Sequence, residues 1–432
     1  MKKITHEDKA LIIDPFAAAV EYFNAGNRRE AFSLFKEVLA IKPDDAQTLH
    51  YLGRIALQVG DGAGAAELFA AADYSLSIVL KKQGKRDEAL AAYRRALAAD
   101  PRCAARDDNR SIRLLGNGNL DEGWYEFEWR STVTTYGPFA DKIWNGEELS
   151  GKTILIWGEQ GIGDQLMLAE CLPDVINRAG HCLIEVDRRL VPLFARSFPK
   201  ASIHGENKFT ADAPVQWRDV EWTAPGSGPG VDYFAFLGSL PRFFRPTLNS
   251  FPNAAAFLAA DRERTAFWRN RLGGTAGKRK VGVSWRSLHM TDEKAEKFPP
   301  LGCWRAVFAM PETTFVGLQV NMSDKERDEI NERFGVDLKT WSDLDLLDDI
   351  DGTASLVSAL DGVVSADTYL PMLAGGLGVP VWRVTRGRKE NDWSHLGAEK
   401  YPWFTSMTVG FGVSENELND VFKAIAGDIT GR

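Results

Sequence analysis

Apolar positions in the first third of the chain recur at helical spacing and then repeat at a longer interval. Ala31, Phe35 and Pro43 stand in the order A-x3-F-x7-P, and Ala89, Tyr93 and Pro101 repeat it. Ala65 and Phe69 follow the first pair by 34 residues, as Gly60 follows Gly26. The same step carries Gly84, Ala89 and Tyr93 to Gly118, Gly123 and Phe127. Small residues let two antiparallel helices approach, the aromatic fills the groove between them, and proline ends the second helix. One step is irregular: Ala65 to Ala89 is 24 residues. The second helix of one repeat is therefore predicted to run into the first helix of the next, around residues 66–80.

A 34-residue step is the tetratricopeptide (TPR) period. Stacked helix pairs of this kind present a concave face suited to an extended peptide. The alternative is that they only brace the next domain. Nine basic side chains fall within residues 81–110, and such a run reads as a solvated helix face.

After Arg130 the pattern changes to strands alternating with helices. TILIWG (153–158) predicts a strand, a helix follows from Gln165 to Gly180, and HCLIEVD (181–187) predicts the next strand. This is a βαβ unit with a parallel sheet. Residues 213–230 and 243–252 break the periodicity with Pro and Gly, and a helix is predicted over Ala254–Leu272. Beyond the linker-like GGTAGKRK, strands are predicted at VGVSWR (281–286), TFVGLQ (314–319), GVVSAD (362–367) and VPVWRV (379–384), with a last helix near Glu415–Ala426. A chain of 432 residues exceeds the ~250–300 that one core usually serves. The expected division is a repeat domain over 1–135 and two nucleotide-fold lobes over 136–275 and 276–432.

Composition narrows the function. Hydrophobic residues make up 44% and charged residues 26%, as in globular proteins. The net charge of −8 disfavours general binding to a phosphate backbone. The cysteines Cys103, Cys171, Cys182 and Cys303 form no CxxC pair, which points away from a zinc site or disulfide framework and toward a reducing compartment. The N-terminus lacks a signal-peptide pattern and the chain is read as having no stretch of about 18 apolar residues, so a cytoplasmic protein without a membrane span is expected.

Ligands of open α/β sheets bind beyond the carboxyl ends of strands. The first strand leads into GEQGIGD (158–164), where Gly158, Gly161 and Gly163 permit a tight turn and close approach of a ligand. Asp164 is then either an N-cap or a carboxylate facing the cleft as a general base. A dinucleotide reading, with Glu185 on a ribose, suffers from the order G-x-x-G-x-G. In the second half Arg286 ends a strand and Lys297 follows in a loop, both suited to phosphate or to plain surface charge. Asp367 and Thr368 open a helix after a buried strand, an arrangement that fits either phosphate binding or an ordinary cap. Trp382, Trp393, Tyr401, Trp403 and Phe404 are expected mainly to pack the seam between lobes. DLDLLDDID (343–351) lacks calcium-loop spacing and reads as a loop.

The runs LDEGWYEFEWR (120–130), WNGEEL (144–149), ILIWGEQGIGDQLMLAECLP (154–173), VGVSWR, FVGLQ, ADT…LAGGLGVPVW and YPWF (401–404) together resemble bacterial proteins in which TPR repeats precede a GT-B glycosyltransferase. The wider group includes lipopolysaccharide heptosyltransferases and O-GlcNAc transferases, and some TPR-bearing members modify flagellin. The resemblance implies an N-terminal TPR α-solenoid followed by a GT-B fold of two Rossmann-like lobes, with nucleotide-sugar donor in the C-terminal lobe and acceptor facing the N-terminal lobe. It makes Asp164 the base, with Gln160, Gly161 and Gly163 forming the acceptor loop. It puts donor contacts on Arg286, Lys297, Asp367, Thr368 and Gly375, with no metal and no cofactor beyond the donor. One position departs from the pattern: Met372 stands where histidine is usual, and a thioether cannot donate to a phosphate. His289 or His395 would then compensate, or the donor would differ, or activity would be lost.

The reading that follows is an inverting, metal-independent transfer of sugar to Ser or Thr of a protein, with flagellin as the acceptor suggested by the resemblance and the TPR face as the selector. A CMP-linked acidic sugar carries less phosphate charge than a UDP-sugar and is favoured over it. The rival readings are a glycan or lipid-headgroup glycosyltransferase and a non-catalytic scaffold.

Overall fold

In a computed structural model the described residues are 14–83, 85–99, 108–130, 139, 141–206, 230–273, 277–288 and 296–431. The chain divides into two compact units. One comprises residues 1–108, 128–140 and 211–217, and the other 109–127, 141–210 and 218–432.

The first unit is built from helices α1 (Pro15–Asn24), α2 (Arg28–Ile41), α3 (Ala46–Gln58), α4 (Gly62–Lys82) and α5 (Arg86–Ala99), each packed on the next. The residues that set the period are the packed ones: Ala31, Phe35, Ala65, Ala89 and Tyr93 are all buried. Phe35 stacks on Tyr51 at 5.2 Å. A Cβ at Gly53 would lie 2.9 Å from the Phe69 ring, so a small residue there lets α3 and α4 close together. The shortened step produces the predicted fusion, because α4 continues unbroken for 21 residues. By length and composition Gly62–Leu80 could cross a membrane, with 28% of it buried. This helix meets the length and hydropathy of a span where none is expected from the sequence, and it carries the acids Glu67 and Asp73. In the basic run, Arg94 pairs with Glu128 at 3.1 Å and Arg95 with Asp73 at 2.6 Å. Arg102 and Arg106 lie outside the described residues, as does Cys103.

Helices α6 (Asp108–Gly116) and α7 (Leu120–Phe127) continue the 34-residue spacing, yet residues 109–127 pack with the second unit. Their aromatic residues decide this. Trp124 is buried with its indole N–H donating to the Arg245 carbonyl at 2.8 Å, and Phe127 stacks on Trp393 at 5.3 Å.

The second unit contains two parallel sheets. The first has strands β1 (Thr153–Trp157), β2 (His181–Val186), β3 (Ser202–Gly205) and β4 (Tyr233–Phe236) in the order β3-β2-β1-β4. The second has β5 (Arg279–Ser284), β6 (Thr313–Gly317), β7 (Gly362–Ala366), β8 (Val381–Arg386) and β9 (Met407–Gly412) in the order β6-β5-β7-β8-β9. Every pairing is parallel. In both sheets the order reverses beside the first strand, the switch point where open α/β folds bind ligands. The central strands Ile154–Trp157 and Gly362–Ala366 are buried throughout, as strands covered on both faces must be.

The predicted helix over 254–272 is only Arg262–Arg271. Before it, the Phe257 and Leu258 N–H groups donate to the Gly376 carbonyl, which removes them from helical pairing. Asp261 then caps the helix through the Arg264 N–H at 2.8 Å. The last helix runs further than expected, from Glu415 to Gly431. Residues 213–229 lie outside the described residues.

Candidate functional site

Beyond β1 the chain turns through GEQGIGD, with Gln160 at a left-handed φ of 65°, uncommon for a residue with a side chain. Gln165, buried in the following helix α8 (Ile162–Leu168), ties this turn down. Its Nε2 donates to the Gln160 carbonyl at 3.5 Å, and its Oε1 accepts the Asp187 N–H at 3.0 Å. Glu185 is buried on β2 and its carbonyl accepts the Gly158 N–H at 2.6 Å, so the turn closes on the sheet.

Asp164 is the third residue of α8 rather than its N-cap, which is Gly161. Its Oδ2 accepts the Gly161 N–H at 3.3 Å. Burial raises its pKa. The Gly161 hydrogen bond opposes that rise, and the Asp367 and Glu159 carboxylates add to it. Burial, with the two neighbouring carboxylates, outweighs that hydrogen bond and makes Asp164 a stronger base than a free aspartate.

Opposite stands the helix Tyr369–Gly376, which follows β7 and packs on α8. The two helix starts are close, a Cβ at Gly163 reaching van der Waals contact with Tyr369 Cα at 3.4 Å. Thr368 is the N-cap, and its Oγ1 accepts the Leu370 N–H at 3.3 Å. Asp367 is 45% exposed and takes a bond from Arg383 at 3.3 Å. Enclosure by the surrounding walls raises its pKa, which Arg383 opposes.

Between these elements lies a cavity of about 480 Å³ lined by Gly163, Asp164, Met167, Lys297, Phe298, Asp367, Met372, Arg383, Thr385, Arg386, Gly387, Arg388, Asn391, Asp392, Trp393 and Ser394. It gathers residues that follow β1, β5, β7 and β8. Arg383 is 1% exposed and spans two carboxylates, Asp367 and Asp392, while resting 4.9 Å over the Tyr401 ring. Asp392 is fully committed, with Oδ2 to Arg383 and Oδ1 to the Ser394 hydroxyl at 2.6 Å. Lys297, Arg386 and Arg388 have no carboxylate partner among the described residues. A second cavity of about 310 Å³, beyond β6, is lined by residues including Gln319, Asn321, Trp341, Ser342 and Leu356.

The structure thus brings Gly163, Asp164, Lys297 and Asp367 to one cavity, with Met372 in the same wall. Arg286 is not among the lining residues. Its guanidinium pairs with Glu326 at 2.7 and 2.8 Å and donates to the Ser287 and Asn321 carbonyls. Gly375 packs against Phe404, where a Cβ would lie 2.6 Å from the ring, and does not line the cavity. Gln160, Gly161 and Thr368 shape the adjoining turns without lining the cavity. His395 is buried with burial lowering its pKa, and it does not line the cavity; His289 lies outside the described residues. Sequence reasoning missed Arg383, Thr385, Arg386, Arg388 and Asp392. The run RVTRGR on and beyond β8 was the available signal. Of the late aromatics, Trp393 lines the cavity, while Trp403 and Phe404 pack on Phe251 and Phe257.

No model of a known protein family matches the chain. Among solved structures it is similar to a glycosyl transferase family 9 protein from Veillonella parvula DSM 2008, with a TM-score of 0.48 and 10% identity over 66% of this chain and 100% of that one. It is similar also to the E. coli ADP-heptose lps heptosyltransferase II, with a TM-score of 0.41 and 12% identity over 64% of this chain and 99% of that one. Likeness to a Thermobaculum terrenum O-GlcNAc transferase covers 99% of this chain and 92% of that one, with a TM-score of 0.29 and 14% identity. In sequence, it is 31% identical over 420 residues to Protein FlbA of Caulobacter vibrioides (strain ATCC 19089 / CIP 103742 / CB 15), covering 92% of this chain and 70% of that protein. On that extent of identity, this chain belongs to the family of Protein FlbA.

Proposed function

We propose that the protein is a glycosyltransferase that moves a sugar from a nucleotide-sugar to a Ser or Thr hydroxyl of a protein. The observation that carries this reading is the opposition, across one cavity, of a half-buried carboxylate of raised basicity and a group of cations without carboxylate partners among the described residues. The cavity's place at the carboxyl ends of two parallel sheets suits a nucleotide-bearing ligand.

In this reading Asp164 takes the proton of the acceptor hydroxyl as its oxygen attacks the anomeric carbon. The bond from that carbon to the donor phosphate breaks on the opposite face, which inverts the centre. Lys297, Arg386 at the end of β8 and Arg388 beyond it receive the negative charge that develops on the leaving phosphate, the stabilisation of greatest value in such a transfer. That fixed positive charge supports a reaction needing no divalent ion. The nucleoside takes the second cavity, where Trp341 offers an apolar face and Asn321 and Ser342 offer polar groups. A CMP-linked acidic sugar remains the favoured donor and a UDP-sugar the next.

The helical unit supplies acceptor recognition through a groove of about 900 Å³ lined by Phe16, Val20, Gln47, His50, Tyr51, Arg54, Phe69, Asp73 and Arg95 among others. Its mix of aromatic, apolar and charged groups fits an extended peptide, and flagellin is the acceptor proposed from the sequence resemblance. The test is intact-mass analysis of cellular proteins with and without the gene, which reports sugar mass and acceptor together. A sugar-sized mass lost from a protein upholds the reading. Unchanged protein masses with an altered glycan or lipid would move the acceptor class. No change in either, with no nucleotide bound by the purified protein, would make it a scaffold.

A further inference from the structure

We infer that the segment Arg383–Arg388 is an oxyanion-binding arm, in which Arg386 and Arg388 directly hold an anionic group of the ligand. The inference rests on the cavity as the ligand site and adds to the proposed transfer residues that determine its specificity.

Three observations support it. First, two buried polar atoms on this segment have no hydrogen-bond partner: Arg383 Nε and Thr385 Oγ1. Both residues line the cavity, and Arg383 is 1% exposed. Buried polar groups are almost always satisfied, so an orphaned pair in a cavity wall marks a place for ligand atoms. Second, the acids beside this segment are already engaged, while Asp164 stands on the opposite side of the cavity. Asp367 and Asp392 share Arg383, and Glu417, whose pKa Arg388 helps lower, accepts the Val413 and Ser414 N–H groups at 2.8 Å each. Among the described residues no carboxylate forms an ion pair with Arg386 or Arg388, Glu417 acting on Arg388 only at longer range, and with Lys297 they bring three positive side chains to one cavity. Such a cluster is favourable when an anion occupies it. Third, the arm is anchored. Arg386 ends β8 in register with Gly412 of β9, and the Gly387 N–H donates to the Gly412 carbonyl at 3.0 Å. Arginine on a fixed strand end presents its donors in a set geometry, which suits a planar or tetrahedral oxyanion.

A carboxylate on the donor sugar and the donor phosphate share this chemistry. The wild-type protein and the Arg386→Gln, Arg388→Gln and doubly substituted proteins would be titrated calorimetrically with inorganic phosphate, CMP, UDP, CMP-N-acetylneuraminate and UDP-N-acetylglucosamine. Each substitution should weaken the ligand that wild type binds by about 10- to 100-fold, the range of one charge-assisted hydrogen bond. Weakening shared by a nucleotide and its sugar conjugate assigns the arm to phosphate. Weakening confined to the acidic-sugar conjugate assigns it to the carboxylate. Arg386→Lys should recover only part of the loss, because it keeps the charge and loses the fork. Wild-type affinity of the double variant for every bound probe would overturn the arm. Failure of wild type to bind any nucleotide would overturn the transferase reading alone if phosphate binding still depends on Arg386, and would overturn both if it does not.

Discussion

The Tyr401 hydroxyl lies 3.7 Å from the Met372 sulfur and 3.1 Å from that of Met167, and 3.2 Å from the Ser394 hydroxyl. Met372, where the sequence resemblance leads one to expect histidine, is a neutral thioether, 7% exposed and packed beneath a buried tyrosine. Positive charge in the cavity comes from Lys297 and the arginines instead. Met372→Leu conserves volume and should cost less than about 1.5 kcal/mol, leaving ligand affinity within a few-fold of wild type. Urea unfolding together with calorimetric titration checks both. A large loss of affinity without loss of stability would show that the sulfur itself contacts ligand.

Asp164→Asn should reduce transfer by about 10²- to 10⁴-fold without lowering stability. Its folded-state pKa is raised above 3.8 by burial. The folded state therefore holds the proton more tightly than the unfolded one, and stability falls as pH rises from the unfolded value through the folded one. At neutral pH the ionised carboxylate is a destabilising group, and Asn can still accept the Gly161 N–H. A thermal melt equal to or above wild type, with transfer lost, is the expected pair of results. Transfer at the wild-type rate would leave Asp164 only its helix-start role.

Glu326 should govern part of the acid stability. Desolvation would raise its pKa, but hydrogen bonds from Arg286 and Ser323 override that and hold it at about 2. A depressed carboxylate stabilises the fold above its unfolded value of 4.5, and that stability is lost as pH falls toward 2. Glu326→Gln should flatten the fall of urea midpoint between pH 4.5 and 2. An unchanged slope would show that the pair with Arg286 contributes nothing.

Arg196 and Asp351 join helix Val191–Ser197, beside the first sheet, to helix Ile350–Val357, beside the second, through bonds of 2.6 and 3.0 Å. The side chains are 30% and 11% exposed. A double-mutant cycle with Arg196→Ala and Asp351→Ala should give a coupling of about 1 kcal/mol, weaker at high salt. Strict additivity of the two substitutions would remove this pair from the forces holding the sheets together.

Arg54 lies in the helical unit's groove, with its guanidinium 4.6 Å from the Phe23 ring centre and 5.5 Å from that of Tyr51. Arg54→Glu reverses an exposed charge and should lower modification of the protein acceptor while nucleotide binding stays at the wild-type level. Mass spectrometry of the acceptor and calorimetry with nucleotide separate the two. Equal modification would assign the groove no part in acceptor choice.

Local pattern was enough to find the helices of the repeat unit and the buried central strands. Phe35, Ala65 and Tyr93 lie where helical spacing demands, and β1, β2, β5 and β7 are apolar runs bounded by turn residues. The strands it missed, β3, β4 and β9, are all sheet edges. Two have only four residues, and the third carries glycines at 410 and 412. An edge strand is held mainly by its one neighbour, so its own residues announce it weakly. Asp164 was legible because the glycine turn before it is a local device.

What only tertiary structure decided was which charges remain for a ligand. Arg286 and Lys297 looked alike in sequence. Glu326, 40 residues from Arg286, engages one of them, while Lys297 reaches the cavity. Arg383, Arg386 and Arg388 read as ordinary strand and loop residues until β8 was placed beside β7. That neighbour brings Asp367 to Arg383, while Arg386 and Arg388 form no ion pair among the described residues. The 34-residue spacing likewise runs on through Gly123 and Phe127, but Trp124 finds the Arg245 carbonyl and Phe127 finds Trp393. Burial of those aromatics outweighs the repeat, because contacts distant in sequence supply apolar area that the spacing alone does not encode.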